Sequence, residues 1–65
     1  MIGAGIIIET SPLPGGGYRA QVAEGGPEWA RQWRAYQISH ELAFRDLRFV
    51  LRGFLPSAQY IHAEH

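Results

Sequence analysis

A loop rich in proline and glycine separates two segments that have the pattern of β-strands. Residues 11–17 contain Pro12, Pro14 and three consecutive glycines, so neither flanking segment can continue through them as regular structure. Residues 5–10 are rich in β-branched side chains, and residues 18–23 alternate between apolar and polar side chains. The first third of the chain is therefore predicted to form a β-hairpin with a long loop.

The rest of the chain is dominated by a segment without helix-breaking residues. Pro27 suits the first turn of a helix, where its missing N–H is not needed, and no further glycine or proline occurs before Gly53. These signals predict one helix over residues 27–52, about 39 Å long at 1.5 Å per residue, and a tail over residues 56–65. A break near Ser39 is the alternative that the sequence leaves open.

The length of the chain limits how much core it can build alone. A domain of 65 residues buries too little surface for a secure monomer in most cases. The chain contains no cysteine, so neither a disulfide nor a thiolate zinc site reinforces the fold. We therefore predict a single α+β domain over residues 1–65, a β-hairpin followed by one long amphipathic α-helix, completed by oligomerisation.

The apolar residues of the predicted helix fall on two sides when they are placed at about 100° per residue. One hairpin covers one side, so the other is most simply buried by a second copy, in a homodimer or tetramer. Pairing of hairpin edges and packing of helices both fit the sequence, and a monomer with a bent helix is the third alternative. The candidate interface residues are Trp29, Trp33, Tyr36, Ile38, His40, Leu42, Leu47, Phe49, Val50 and Phe54.

Several arginines share the sector of the predicted helix between its two apolar stripes. They are the best candidates for contact with an anionic partner, although a solvated seam has the same pattern. The formal net charge of zero argues against binding nucleic acid through bulk charge. A heterologous protein and, with weaker support, nucleic acid are therefore the candidate partners. The candidate anion-binding residues are Arg34, Arg45, Arg48 and Arg52.

The sequence contains no recognisable catalytic constellation. No serine has an adjacent-base signature, and there is no cysteine to act as a nucleophile. We expect a binding protein rather than an enzyme, without cofactor or metal. His62 and His65 suit a shared metal only if the last residues are helical, and His40 is expected to be a core or interface residue with one hydrogen bond.

The aromatic residues suggest a further alternative. Trp29, Trp33 and Tyr36 have large apolar rings with polar edges, which suit the wall of a small-molecule pocket between subunits. Packing of an interface is the simpler interpretation of the same three residues.

No apolar run approaches the length of a membrane span. The longest covers residues 6–8, whereas a spanning helix needs about 20 apolar residues. The amino terminus has no basic leader, and Glu9 interrupts the apolar stretch that a signal peptide requires. We therefore expect no association with a membrane and a cytoplasmic location.

The two predicted strands resemble the opening hairpin of HicB-like antitoxin domains. The resemblance covers residues 6–23 and rests on Ile-Ile-Ile-Glu over residues 6–9 and on Gly16-Gly17-Tyr18 at the start of the second strand. In that family a turn rich in proline and glycine, a third strand and a helix follow, whereas here the chain is expected to enter its helix without a third strand. The resemblance implies an oligomeric α+β module partnered with a small toxin.

Overall fold

The computed structural model describes residues 5–65 and has an α+β fold, as predicted. The domain prediction also includes residues 1–4, which lie outside the described residues. The elements in chain order are β1 (Gly5–Pro12), β2 (Tyr18–Val22), α1 (Glu28–Arg31), β3 (Arg34–Gln37), α2 (His40–Arg52) and β4 (Gln59–Glu64). The four strands form one sheet in the order β3-β2-β1-β4. The β1–β2 and β2–β3 pairs are antiparallel, and β1 and β4 are parallel.

The predicted β-hairpin is present as β1 and β2. The strands pair from Ile8 opposite Val22 to Pro12 opposite Tyr18. In the loop between them, Gly16 and Gly17 have φ values of 103° and 81°, a region that side chains other than glycine rarely adopt. The glycines of the predicted loop therefore supply the backbone conformation with which the chain enters the second strand.

The prediction of one helix over residues 27–52 is wrong. The chain forms the short helix α1, then the strand β3, and only then the helix α2. In β3, Ala35 is buried opposite Ala20 of β2, while Arg34 and Tyr36 on either side of it are exposed. This alternation is that of a strand. The expectation that the chain lacks a third strand is therefore also wrong.

The helix α2 has its own start signal. The Ser39 backbone is extended, and its hydroxyl accepts a hydrogen bond of 3.1 Å from the Leu42 N–H. This N-cap satisfies a donor that has no partner within the helix, and the acidic Glu41 lies in the first turn, where negative charge is favourable. The break that the sequence allowed near Ser39 is thus present. The helix ends at Arg52, at the predicted end of the long helix.

The tail over residues 56–65 contains the fourth strand. β4 pairs with β1 along the whole length of β4, from Gly5 opposite Gln59 to Thr10 opposite Glu64. Beyond the strand, the His65 N–H donates a 2.8 Å hydrogen bond to the Thr10 carbonyl. The hairpin is therefore the centre of a four-stranded sheet rather than the whole of it.

One face of the sheet packs against α2 and forms the core. Ile6 and Ile8 of β1 lie in the same buried cluster as Leu47 and Leu51 of α2, and none of the four is more than 1% exposed. Burial of each such side chain contributes about 1.5–3 kcal/mol. Leu47, one of the predicted interface residues, therefore belongs to the core of a single copy.

Candidate interaction surfaces

The side of α2 that faces away from the sheet carries a shallow groove, the α2 groove. Its volume is about 380 Å³, and its lining residues are Gln37, Leu42, Arg45, Asp46, Arg48, Phe49 and Arg52. Two predicted interface residues form its apolar centre, since Leu42 is 39% and Phe49 79% exposed. The periodicity of the helix places them away from the buried Leu47 and Leu51. The candidate interface residues of α2 are thus divided between the core and the surface.

Positive charge surrounds the apolar centre of this groove. Three of the predicted anion-binding residues line it, namely Arg45, Arg48 and Arg52. None of these guanidinium groups forms an ion pair with a carboxylate of residues 5–65. The Arg48 guanidinium lies 5.3 Å from the centre of the Phe44 ring, a cation–π contact. Asp46 is the only acidic lining residue, so the groove carries a net positive charge.

The fourth predicted anion-binding residue lies elsewhere. Arg34 begins β3, and its guanidinium donates to the backbone carbonyls of Arg31 and Trp33. It is exposed but does not line the α2 groove. The sequence therefore predicts a set of four arginines of which the fold brings three together.

The face of the sheet opposite α2 is called here the open sheet face. Ile7 of β1 and Ile61 of β4 are adjacent in register, and both are exposed. Tyr36 of β3, a predicted interface residue, is also exposed on this face and lies opposite Arg19 of β2. The apolar pair of Ile7 and Ile61 thus lies near the β4 edge of the open sheet face. Tyr36 and Arg19 lie near the β3 edge.

The strand β4 has a free edge, because within residues 5–65 it pairs only with β1. It contains no proline, and its only charged residue is Glu64 at its end, so it lacks the features that usually protect exposed edges. Successive N–H groups of a strand point alternately to its two sides. The His65 N–H donates to β1, so the N–H groups of Tyr60, His62 and Glu64 point to the free edge.

Three predicted interface residues form an aromatic cluster between α1 and the end of α2. The ring centres of Trp29 and Phe54 are 5.9 Å apart, and those of Trp33 and Phe54 are 5.5 Å apart, both favourable separations. They meet because the chain turns back after α1, not because they share a helix. Of the other predicted interface residues, Val50 is half-buried on α2, and Ile38 is exposed in the loop before it.

A partly buried polar network joins β1, α2 and β4. Thr10 is 0% exposed, and its hydroxyl lies 2.8 Å from Nδ1 of His40 and 2.8 Å from Nε2 of His62. The His40 ring contacts Tyr18, with centres 4.4 Å apart, and the His62 ring stacks on Phe44 at 4.5 Å. Because solvent does not reach Thr10, the network connects these elements and does not present a nucleophile to a substrate.

The other terminal histidine lies apart from this network. Nε2 of His65 is 3.4 Å from Oε2 of Glu9, whereas His62 faces Thr10 and the helix. Residues three apart in extended chain point to opposite faces of a sheet, so His62 and His65 do not share a metal site. Within residues 5–65, no group of three or more metal-ligating side chains is placed to hold an ion.

Thr10 is not among the residues predicted from the sequence, although the sequence contains a signal for it. Strand alternation places Thr10 on the same face as Ile6 and Ile8, and a polar residue at a core position needs a hydrogen-bond partner. The partner itself gives no such signal, because His62 is separated from Thr10 by 52 positions.

The comparisons with known proteins give no match for this chain. No family model matches the chain, and neither a curated protein nor a solved structure matches it. None of the helices within residues 5–65 has the length and apolar character needed to cross a membrane. The surfaces described above are therefore the basis for proposing a function.

Proposed function

We propose that this protein is a small homo-oligomeric interaction module, in which two copies pair along the free edge of β4. The observation that carries the proposal is the unprotected edge of β4 beside the exposed pair of Ile7 and Ile61. The outward N–H and C=O groups of the strand are hydrogen-bonding groups that a second strand satisfies. Its role is binding, without a catalytic step.

Antiparallel pairing of the two β4 strands fits a twofold axis perpendicular to the sheet. Each copy then uses the same surface, as in most homodimers, and the two four-stranded sheets become one continuous sheet. Both α2 helices lie on the same face of it. Ile61 of each copy comes close to its counterpart, and the Ile7–Ile61 pairs form one apolar strip across the dimer.

The mass in solution tests this proposal, measured by light scattering on a sizing column over a range of concentrations. The monomer has a mass of 7.3 kDa, and we expect twice that value for the wild-type chain. Ile61→Lys adds a charge beside the free edge, a natural means of preventing edge pairing, and should give monomers. Glu64→Pro removes an N–H that points to the free edge, and should also weaken the dimer, whereas Glu64→Ala should not.

A matched variant separates edge pairing from packing of two open sheet faces. Gln21→Lys introduces the same charge on the open sheet face, but in β2, a strand that is paired on both sides. We expect this variant to remain dimeric. Dissociation by Gln21→Lys would assign the interface to the sheet face, and a wild-type chain that is folded and monomeric at all concentrations would refute the proposal.

A second candidate function is that of an antitoxin-like protein partnered with a small toxin. The strand β3 favours it, because the hairpin with Gly16-Gly17-Tyr18, a turn containing Pro27, the short helix α1, a third strand and the helix α2 follow one another. Apart from α1, this is the order that the HicB-like resemblance implies. The antitoxin-like function predicts that this chain relieves the growth arrest caused by a small toxin protein expressed with it. Persistent growth arrest would argue against that toxin as its partner.

A further inference from the structure

The α2 groove combines features that no contact within residues 5–65 explains. Phe49 is 79% exposed, although exposing a large aromatic side chain to water is unfavourable. Its helical neighbours at spacings of four and three are Arg45 and Arg52, and neither forms an ion pair with a carboxylate of the described residues. An apolar centre with flanking cations is complementary to a ligand with an apolar centre and flanking anions.

We propose that the α2 groove binds an acidic segment of another protein. An apolar side chain of the partner packs between Leu42 and Phe49, and its carboxylates bind Arg45 and Arg52. Arginine suits this role because its planar guanidinium group presents several donors that match a carboxylate. The site uses a surface on the far side of the sheet from the open sheet face, so it does not depend on the proposed pairing of β4.

A protein segment fits this groove better than nucleic acid does. The groove contains the Asp46 carboxylate, which repels any anion. A nucleic acid presents a continuous line of phosphates, whereas a peptide can place an uncharged residue beside Asp46. In a single copy Asp46 accepts a hydrogen bond of 3.2 Å from Nε2 of Gln37. A peptide also has backbone N–H donors for such a carboxylate, and it has apolar side chains for the exposed Phe49.

Fluorescence anisotropy of a labelled peptide composed of glutamate and leucine tests the proposal. The full-length chain should bind this peptide, and the affinity should fall as the salt concentration rises. A peptide of the same length composed of glutamine and leucine should bind more weakly. Single-stranded DNA of similar length serves as a polyanion without apolar side chains, and it should also bind more weakly.

Variants in the groove separate a specific site from general charge attraction. Arg45→Gln should weaken peptide binding by about two- to fivefold, the range for one exposed ion pair. Phe49→Ala should weaken it by about fivefold or more, as for a central apolar contact. Arg34→Gln is the matched control, because it removes the same charge from an exposed residue outside the groove, and it should leave the affinity unchanged.

Any one of the following outcomes overturns the proposal that the α2 groove binds an acidic segment. No binding of the acidic peptide at physiological salt contradicts it directly, as does equal weakening by Arg34→Gln and Arg45→Gln. Tighter binding of DNA than of the peptide would assign the surface to nucleic acid. Binding that Phe49→Ala leaves unchanged would show that the apolar centre has no role. The mass of each variant, measured in parallel, shows whether oligomerisation has changed, so failure of this proposal is distinguishable from failure of the pairing along β4.

Discussion

Nε2 of His62 lies 2.8 Å from the hydroxyl oxygen of Thr10, although 52 positions separate the two residues in the chain. The same hydroxyl is equally close to His40 at the start of α2. A hydroxyl has one proton and two lone pairs, so with neutral imidazoles it donates to one ring and accepts from the other. This arrangement connects the last strand and the helix to the central strand of the sheet.

Replacement of Thr10 by valine tests the contribution of this network. Thr10→Val keeps the shape of the side chain but removes the hydroxyl, leaving two half-buried histidines without this partner. We expect the free energy of unfolding to fall by about 1–3 kcal/mol, measured by urea denaturation at neutral pH. Ser11→Ala removes a hydroxyl from the next residue and should change stability by less than about 0.5 kcal/mol. Equal stability of Thr10→Val and the wild type would mean that the network contributes nothing.

The N-cap of α2 gives a prediction whose sign distinguishes two structures. With Ser39 as the N-cap, Ser39→Ala removes the hydrogen bond from the Leu42 N–H and should destabilise the protein by about 1 kcal/mol. In one continuous helix over residues 27–52, the same substitution would stabilise it, because alanine has the higher helix propensity. Thermal and urea denaturation measure the difference. Ser57→Ala, at an exposed position, is the control and should have little effect.

The hairpin is predictable because its signals are local. Pro14 and the glycines that follow it end the first strand, and the flanking residues have strand patterns. The predicted end of the first strand at residue 10 is two residues too early, because β1 continues to Pro12. The division of the predicted helix is harder to see, because β3 has only four residues and contains neither glycine nor proline. Ala35 fits the apolar stripe of a helix as well as the inward position of a strand. Ser39 is a start signal in the sequence, but a serine within a long helix is also tolerated.

The candidate surfaces are less predictable than the hairpin because they depend on contacts between distant parts of the chain. β4 pairs with β1 only when residues about 50 positions apart meet, and nothing local to residues 59–64 specifies that partner. Of the four arginines that the sequence predicts to lie together, three do so because they share α2, whereas Arg34 lies in β3. The relative placement of residues within one helix or strand can thus be predicted from their spacing, whereas the neighbours of that element depend on the whole fold.

Leu47 and Phe49 are two residues apart on α2 and should respond very differently to truncation. Leu47 is 1% exposed in the core, so Leu47→Ala should reduce the free energy of unfolding by about 2–5 kcal/mol. Phe49→Ala should change it by less than about 0.5 kcal/mol, because the side chain is mostly solvated. Urea denaturation of the two variants measures this contrast. A large loss of stability in Phe49→Ala would mean that its ring is buried in the folded protein.

Tyr60 should make the stability of the protein depend on alkaline pH. Its hydroxyl donates a 2.8 Å hydrogen bond to the Leu55 carbonyl. Partial burial raises the pKa of Tyr60 above its ordinary value of 10.0, and the nearby Arg52 opposes the shift. The folded state therefore holds this proton more tightly than the unfolded state. Its contribution to stability is complete below pH 10 and is lost as the pH rises through the raised pKa of the folded state.

Comparison with a variant isolates this effect. At neutral pH, Tyr60→Phe should be less stable than the wild type by about 0.5–1.5 kcal/mol, the contribution of one hydrogen bond. The difference should shrink as the pH is raised above about 10, because only the wild type loses the contribution of the phenol. The chain has no lysine, and arginine stays charged in this range, so few other groups titrate. Tyr36→Phe removes an exposed phenol and should show no such change, and a deficit of Tyr60→Phe that stays constant with pH would contradict the assignment.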